Sequence, residues 1–382
     1  MSERLITKDK DLARFLDELG TPPWIAVDTE FLTEKTYVPK LCLIQVGHGD
    51  TCAAIDPLSD IDLDPLLDLL DDPDIVKVFH AGEQDLGIFQ NDFDFVPAPV
   101  YDTQVAAMVC GYGRQVGYAR IVEQVTGIRI DKGSQMVDWS RRPIRERDLK
   151  YAIEDVRRLG PVYEAVKKDV AKRGRTAWIE EEMEDLEDPK RYKVDLDTLW
   201  EGLKLKSPTR RRLAILRELV TFREREARRR NSPRQWILKD NAIRELAAHP
   251  PKSTKELARI RNIGGAAKGK LGEEVMRCIR EANALPESEC PEVPPRSRRV
   301  DVPDNAVALL RALLTRVADK EEVAAAFIAT RGELERYATG RPTRLDHGWR
   351  QELFGKLATD LLEGRLGLTV RDGEVEFLAL GD

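Results

Sequence analysis

Four carboxylates and one tyrosine stand where an α/β fold could gather them: Asp28, Glu30, Asp85, Tyr151 and Asp155. Asp28 and Glu30 close an apolar run, and alternation along a strand puts residues two apart on the same side. Carboxylates that converge repel one another unless divalent cations lie among them, and Mg²⁺ and Mn²⁺ prefer such oxygen ligands. Two such cations about 3.5–4 Å apart could clamp the attacking and leaving oxygens of a phosphodiester during hydrolysis.

The elements that would carry these groups are short strands that alternate with helices. The sequence predicts strands over residues 24–28, 41–47, 51–55 and 75–79, and helices over residues 83–90 and 144–170. Asp85 then lies near the start of one helix, whereas Tyr151 and Asp155 lie four apart on one face of the other. Strand ends and the helix starts that follow them are where α/β folds assemble their sites. We therefore predict an α/β domain, a mixed sheet flanked by helices, over residues 1–170.

The rest of the chain has an almost entirely helical pattern. We predict an acidic helical connector, a first helical domain, a proline-rich linker and a second helical domain at residues 171–207, 208–285, 286–301 and 302–382. Both helical domains are expected to be all-α.

Charge is distributed unevenly over the 382 residues, which carry 62 Lys and Arg against 68 Asp and Glu for a net charge of −6. Residues 1–170 carry 20 basic and 31 acidic side chains, whereas residues 206–300 carry 24 and 12, a net charge of +12. Clustered Lys and Arg attract phosphates, so the basic segment favours a nucleic-acid partner over a merely solvated helix face. Arginines such as Arg228, Arg229 and Arg230 would follow a nucleic-acid backbone and add affinity without base specificity.

Composition argues against several classes of protein. No apolar run approaches the roughly 18–20 residues that span a bilayer, and the first residues lack the apolar core of a signal peptide. The five cysteines have no metal-ligand spacing, so neither a disulfide scaffold nor a zinc site is expected. We expect a cytoplasmic protein with no membrane partner.

In combination, these motifs resemble those of ribonuclease D, in the tyrosine-bearing form of the four-carboxylate 3′–5′ exonucleases. The resemblance rests on residues 27–31, 36–39 and 43–45 for the first exonuclease motif, 78–86 for the second and 151–156 for the third. Between them it rests on residues 101–104, 131–135, 138–139 and 142–143. The helical domains resemble the paired C-terminal HRDC domains of ribonuclease D, a type shared with RecQ helicases, at residues 225–230, 237–240 and 349–355.

Carried over onto these motifs, the resemblance implies a ribonuclease-H-like exonuclease domain with two divalent cations, Mg²⁺ or Mn²⁺. It implies that Asp28 bridges both ions, that Glu30 and Asp155 complete one site, and that Asp85 serves the other through water. Tyr151 would orient the attacking water. A tyrosine with a pKa near 10 is a poor base at neutral pH, so the metal must acidify that water.

The resemblance also implies a metal-dependent 3′–5′ exoribonuclease that releases nucleoside 5′-monophosphates from RNA 3′ ends. RNA with a free 3′ end, tRNA precursors included, is the expected partner, and no obligate protein partner is inferred. A DNA exonuclease of the same fold stays open, because no residue reveals whether the 2′-OH is read. A non-catalytic nucleic-acid-binding protein is the other alternative, which a missing carboxylate would have favoured.

Five more residues are candidate nucleic-acid contacts. Phe31 could stack on the terminal base, although it could equally be a core residue. Gln45 on a strand and His80 before a glycine turn could contact the nucleic acid or make structural hydrogen bonds. Lys132 and Arg142 carry fixed charge within the run that matches the family, which favours contact with the scissile phosphate or its neighbours.

Overall fold

The structure, a computed structural model, describes residues 4–33, 35–130, 137–260, 263–267, 269–293 and 304–380. The chain divides into two compact units. The first comprises Met1–Glu30, Leu41–Arg191 and Arg299–Asp382, and the second comprises Phe31–Lys40 and Tyr192–Arg298. No helix within the described ranges is both long and apolar enough to cross a membrane.

A six-stranded sheet and the helices around it form the part of the fold that carries the acidic motifs. In chain order the elements are β1 (Leu5–Ile6), α1 (Asp9–Leu19), β2 (Trp24–Leu32), β3 (Lys40–His48), β4 (Thr51–Ile55), α2 (Asp64–Asp71), β5 (Val76–Phe79), α3 (Glu83–Phe93), β6 (Val100–Asp102), α4 (Thr103–Met108), α5 (Tyr118–Thr126), α6 (Glu146–Lys172) and α7 (Thr176–Glu187). The strand order is β1-β4-β3-β2-β5-β6. Strand β4 runs parallel to β1 and antiparallel to β3, and β5 runs parallel to β2 and β6. The predicted mixed sheet is confirmed.

The register of the central strands decides where the acidic residues lie. Trp24 pairs with Val76 and Ala26 with Val78, so Asp28 and Glu30 follow the part of β2 that pairs with β5. They therefore lie at the carboxyl end of β2, toward which the parallel strand β5 also runs before the chain enters α3. Ligand sites of open α/β sheets form at this end of parallel strands.

A close contact between α6 and β2 fixes the position of that long helix. A Cβ on Gly160 of α6 would lie 2.5 Å from Cη2 of Trp24, so only glycine allows this approach. The Trp24 ring also packs against Tyr163 of α6, with 5.3 Å between the ring centroids. This contact holds against the sheet the helix that bears Tyr151 and Asp155.

The second unit contains the ends of β2 and β3 at Phe31, Leu32 and Lys40. Its larger part, from Tyr192 onward, contains α8 (Arg210–Arg230), α9 (Arg234–Ile237), α10 (Asp240–Ala248), α11 (Thr254–Leu257) and α12 (Gly269–Ala284). Thr209 caps α8 by accepting a hydrogen bond from the amide of Arg212. Apolar residues of α8 such as Leu216 and Val220 are buried at helical spacing and pack against α10 and α12. Asn231, in the left-handed conformation, ends the helix.

The C-terminal region corrects the all-α expectation for the second helical domain. It contains α13 (Asp304–Glu321), α14 (Ala325–Ile328), α15 (Arg331–Tyr337), α16 (Gly348–Arg350), a π-helical turn (Gln351–Gly355), α17 (Lys356–Leu362), β7 (Leu366–Arg371) and β8 (Glu374–Ala379). The antiparallel strands β7 and β8 are joined by Asp372 and Gly373, with φ of 53° and 85°. Positive φ at both turn residues is typical of a type I′ turn, for which Asp-Gly is a strong signal. The sequence held this signal, and the helical interpretation missed it.

Candidate active site

Three carboxylates from two elements converge at the end of β2. Oxygen atoms of Asp28, Glu30 and Asp155 all lie within 4.8 Å of one another. Strand β2 supplies the first two and α6 the third, and each residue is partly exposed. The group thus opens to solvent while its members face one another.

Asp85 is held beside this group by the residue between Asp28 and Glu30. The hydroxyl of Thr29 donates a hydrogen bond to Oδ1 of Asp85, and both residues are buried. Asp85 lies in the first turn of α3, where the free amides and the helix dipole favour a negative charge. Asp85 is therefore positioned by two elements, although it lies outside the group of three.

The turn that leads to Asp85 is fixed by another buried acid. Oδ1 of Asp102 accepts from the amide of Ala81 at 3.1 Å, and Oδ2 accepts from the amide of Gly82 at 2.8 Å. The same carboxylate caps α4 by accepting from the amides of Gln104 and Val105. Asp102 thus ties the second acidic motif to the end of β6.

Tyr151 and Asp155 lie one helical turn apart on α6 and interact directly. The hydroxyl of Tyr151 donates to the Asp155 carboxylate, and the ring of Tyr151 lies beside that of the buried Trp139, with 6.5 Å between centroids. The hydroxyl of Tyr118, on α5, donates to the main-chain oxygen of Asp155. Oδ1 of Asp155 is buried and has no hydrogen-bond partner among the described residues.

The electrostatics of the site disfavour simultaneous ionisation of these acids near neutral pH. Burial first, and then the negative charges of Asp85, Asp155 and Glu30, raise the pKa of Asp28 well above its ordinary range. Burial, with the charges of Asp155 and Asp85, raises the pKa of Glu30 to about 9. Burial also raises the pKa of Asp85 and of Asp155 to about 7 in each case.

The donor set fits a divalent cation. All the groups are oxygens, three of them converge, and one buried oxygen of Asp155 lacks a hydrogen bond among the described residues. Hard cations such as Mg²⁺ and Mn²⁺ take ligands of this kind. A cation would also offset the burial and the mutual repulsion that raise the pKa values of Asp28 and Glu30.

Three of the candidate nucleic-acid contacts lie near these elements. Phe31 follows Glu30 on β2 and is partly buried. Gln45 on β3 is fully buried, and its side-chain amide has no hydrogen-bond partner among the described residues. Both ring nitrogens of His80 lie 2.9 Å from protein atoms, Oγ1 of Thr103 and the main-chain oxygen of Val116. Burial lowers the pKa of His80. The geometry favours a structural role for His80, and nucleic-acid contact by these three residues stays a prediction.

Arg142 uses all five of its N–H groups within the protein. It forms a two-pronged ion pair with Asp56, at 2.5 and 2.6 Å, and its other three N–H groups donate to main-chain oxygens. This saturation favours a structural clamp over the expected phosphate contact, which stays a prediction. Lys132, the companion candidate, lies outside the described residues.

The candidate arginines at the end of α8 are exposed but engaged by neighbours. Arg229 and Arg230 both pair with Glu226. Nε of Arg228 donates to the Tyr37 hydroxyl at 3.0 Å. The side chains of Glu226 and of Glu224, which pairs with Arg228, are 12% and 0% exposed, so only the arginines reach solvent. Their contact with RNA stays a prediction.

Sequence reasoning missed three positioning residues, namely Thr29, Asp102 and Tyr118. Alternation along β2 predicts that Thr29 points away from its neighbours, which gives no hint that it reaches Asp85. Asp102 had a signal, because aspartate ahead of a helix is a preferred cap. Tyr118 had none, because its partner lies 37 residues away on another helix.

Comparisons with known proteins agree with this geometry. The model of the 3'-5' exonuclease family matches residues 4–171, and that of the HRDC domain matches residues 212–279. Ribonuclease D of Granulibacter bethesdensis is 42% identical over 386 residues, covering 100% of this chain and 98% of that protein. Ribonuclease D of Acidiphilium cryptum is 42% identical over 380 residues, covering 98% and 97%. The crystal structure of Escherichia coli RNase D matches with a TM-score of 0.85 at 29% identity, covering 95% of this chain and 99% of that one.

The mixed sheet, the carboxylates at its strand ends and the family match define a 3′–5′ exonuclease that depends on divalent metal ions. Similarity to ribonuclease D proteins over nearly their full length identifies the family within this class of exonucleases. The chain belongs to the ribonuclease D family, and it is a hydrolytic 3′–5′ exoribonuclease.

Proposed function

We propose that this exoribonuclease shortens structured RNA precursors, tRNA precursors among them, one nucleotide at a time and releases nucleoside 5′-monophosphates. The observation that carries the proposal is the convergence of Asp28, Glu30 and Asp155 within 4.8 Å, with Asp85 held alongside by Thr29. The Escherichia coli relative is described as an exoribonuclease involved in structured RNA processing. The proposal places the protein in the cytoplasm.

The proposal assigns two divalent cations, Mg²⁺ or Mn²⁺, to the four carboxylates. Asp28 would hold both, Glu30 and Asp155 would complete one site, and Asp85 would serve the other. When bound, the cations acidify the attacking water and neutralise charge on the leaving oxygen. The unsatisfied Oδ1 of Asp155 supports this assignment, because a buried carboxylate oxygen otherwise keeps a hydrogen-bond partner.

Tyr151 would act as a neutral hydrogen-bonding group and not as a base. Burial, with the charges of Asp155, Glu30 and Asp28, raises the pKa of Tyr151 above its ordinary value of 10.0. The phenol therefore keeps its proton at neutral pH and donates a hydrogen bond to Asp155. A lone pair of its oxygen is left to orient the attacking water.

The helical domains would hold the body of the RNA while its 3′ end is cleaved. The first, within the net-positive segment 206–300, would bind the backbone through residues such as Arg228, Arg229 and Arg230. The C-terminal region, residues 302–382, would be a second HRDC-like domain that ends in a hairpin. No obligate protein partner is part of the proposal.

The test uses one RNA labelled at its 3′ end and the same RNA labelled at its 5′ end, with Mg²⁺ or with EDTA. We expect early release of the 3′ label as a nucleoside 5′-monophosphate, abolished by EDTA and by Asp28→Asn. Glu164→Gln, an exposed change on the same helix as Asp155, is the matched control and should retain activity. Release of the 5′ label first, or EDTA-resistant cleavage, would contradict the proposal. The same DNA sequence run in parallel measures discrimination by the 2′-OH.

A further inference from the structure

Trp236 is the most exposed large apolar side chain of the second unit. Trp236 is 65% exposed, whereas the other five tryptophans, all within the described residues, are buried or half-buried. A tryptophan left in water is the informative case, because burial of this side chain is normally favourable.

The position of Trp236 is fixed by the core beneath it. Trp236 lies on the four-residue helix α9, and its amide donates to the main-chain oxygen of Pro233 at 2.9 Å. The next two residues, Ile237 and Leu238, are 5% and 2% exposed, and Leu238 belongs to the core that α8 and α10 share. Helix α9 also contacts α8. The aromatic ring is therefore presented to solvent by an anchored segment.

The segment around Trp236 is strongly basic. Residues 227–239 contain five basic side chains and no acidic one, namely Arg228, Arg229, Arg230, Arg234 and Lys239. The guanidinium groups of Arg228 and Arg234 lie 5.5 and 5.2 Å from the centroid of the Tyr37 ring. The side chains of Arg229 and Arg230 are 68% and 42% exposed and pair with Glu226. The Glu226 side chain itself is only 12% exposed, so a phosphate would contact the solvent-facing part of these two arginines beside Glu226.

We propose that Trp236 is a stacking platform for a base of single-stranded RNA, with the arginines at the end of α8 contacting the adjacent phosphates. The proposal rests on the proposed RNA substrate and adds the recognition of an unpaired nucleotide away from the cleaved bond. Base stacking on an aromatic ring combined with nearby cations is how proteins bind single strands without sequence preference. Charge complementarity favours RNA over an apolar peptide, because the basic side chains around the ring would contact phosphates and would contribute nothing to binding an apolar peptide.

The experiment measures binding in the Asp28→Asn background, so that the RNA is not degraded. Fluorescence anisotropy with a 5′-labelled single-stranded RNA of mixed sequence compares this protein with added Trp236→Ala or Trp236→Phe. Leu309→Ala, which removes another exposed apolar side chain from the C-terminal region (48% exposed), is the control.

We expect Trp236→Ala to weaken RNA binding about 5- to 100-fold, because stacking on an aromatic ring is lost. Trp236→Phe, which keeps a ring, should bind within about 3-fold of the parent, and Leu309→Ala should match the parent.

The slope of log affinity against log salt should stay the same in Trp236→Ala, because stacking releases no counterions, and should become shallower in Arg229→Gln/Arg230→Gln. RNA should also quench tryptophan fluorescence in the parent and quench it less in Trp236→Phe, a readout that does not depend on how the alanine variant folds.

Equal RNA affinity of Trp236→Ala and the parent, or equal quenching in Trp236→Phe, would overturn the proposal. So would light scattering that shows the parent as an oligomer and Trp236→Ala as a monomer, since Trp236 would then be a contact between copies. These outcomes are separate from the proposed function. If the wild-type protein releases no nucleotides while binding still depends on Trp236, the proposed function fails and the platform stands.

Discussion

The active site and the C-terminal region both contain largely buried acidic side chains, but their pKa values are shifted in opposite directions. In the active site burial raises the pKa of Glu30, and the negative charges of Asp155 and Asp85 add to that rise, which brings the pKa to about 9. In the C-terminal region Glu333 is 4% exposed. Burial alone would raise the pKa of Glu333, but hydrogen bonds from Arg344 and Thr330 overcome it and lower the pKa to about 2.

The difference shows that burial of an acidic side chain does not by itself tell a metal-binding acid from one that holds the fold together. Arg344 donates to Glu333 from Nε at 2.7 Å and completes a local ion pair. Glu182 likewise pairs with Arg350, which is 2% exposed and joins the C-terminal region to α7. An acid paired with a protein cation keeps its charge inside the fold, and removing one partner of such a pair is destabilising. Acids that face one another need a cation from solution.

Glu30→Gln, which removes one of the acids of the active site, should have the largest effect on RNA cleavage. We expect single-turnover cleavage of RNA to fall at least about 1,000-fold, because a metal ligand that contributes several kcal/mol to the transition state is lost. The metal-free variant should resist urea at least as well as the parent, because one of the repelling carboxylates is gone. Activity close to that of the parent would contradict the assignment of Glu30.

Thr29→Val tests whether Asp85 needs its hydrogen bond. The change keeps the β-branched shape and removes the hydroxyl that donates to Asp85. We expect activity at limiting Mg²⁺ to fall about 10- to 100-fold, the usual cost of losing a partner of a metal ligand. Thr315→Val, an exposed threonine on α13, is the matched control. An unchanged Mg²⁺ dependence in Thr29→Val would show that Asp85 is positioned without it.

Glu333→Gln should affect stability and leave catalysis per folded molecule unchanged. We expect the free energy of unfolding at pH 7 to fall by about 1–3 kcal/mol, because hydrogen bonds to a charged group are lost. The pKa of Glu333 is lowered from 4.5 to about 2 by folding, so its contribution is present above about pH 5 and is lost as the pH falls toward 2. The variant and the parent should therefore converge in acid, as measured by urea unfolding at pH 7 and pH 3. A difference that grows in acid would contradict the ion pair.

Tyr118→Phe should give the smallest effect. It removes the hydroxyl that donates to the main chain of Asp155 and keeps the ring that packs near His80. We expect the Mg²⁺ concentration for half-maximal activity to rise about 2- to 10-fold, the range of one ordinary hydrogen bond. The melting temperature should change little. An equal loss at saturating and limiting Mg²⁺ would indicate a role other than positioning Asp155.

The sequence predicted the strand-end acids well because their types and order are specific in combination. Asp28 and Glu30 end a recognisable strand, and Tyr151 and Asp155 share a helix face, so local periodicity brings each pair together. The hairpin at Asp372 and Gly373 was also predictable from its turn residues, although the helical interpretation overlooked it.

What could not be predicted depends on partners far apart in the chain. The sequence predicted phosphate contact for Arg142, which stays a prediction, but it gave no sign of the ion pair with Asp56, 86 residues earlier. A count of basic residues gives the field of a segment, but it does not reveal which arginines are already paired. The contact between Thr29 and Asp85 spans 56 residues and follows only from the packing of α3 against β2.

The most direct test of the account is the number of protons released when Mg²⁺ binds, measured by calorimetry at pH 7.5 in buffers of different ionisation enthalpy. The pKa of Glu30 is about 9 and that of Asp28 is raised well above its ordinary range, so the metal-free site holds protons at this pH. The account predicts Mg²⁺ binding with release of about one proton or more per site, reduced in Glu30→Gln, because carboxylates must ionise to bind the cation. Absence of binding, or a binding heat that is the same in every buffer, would contradict it.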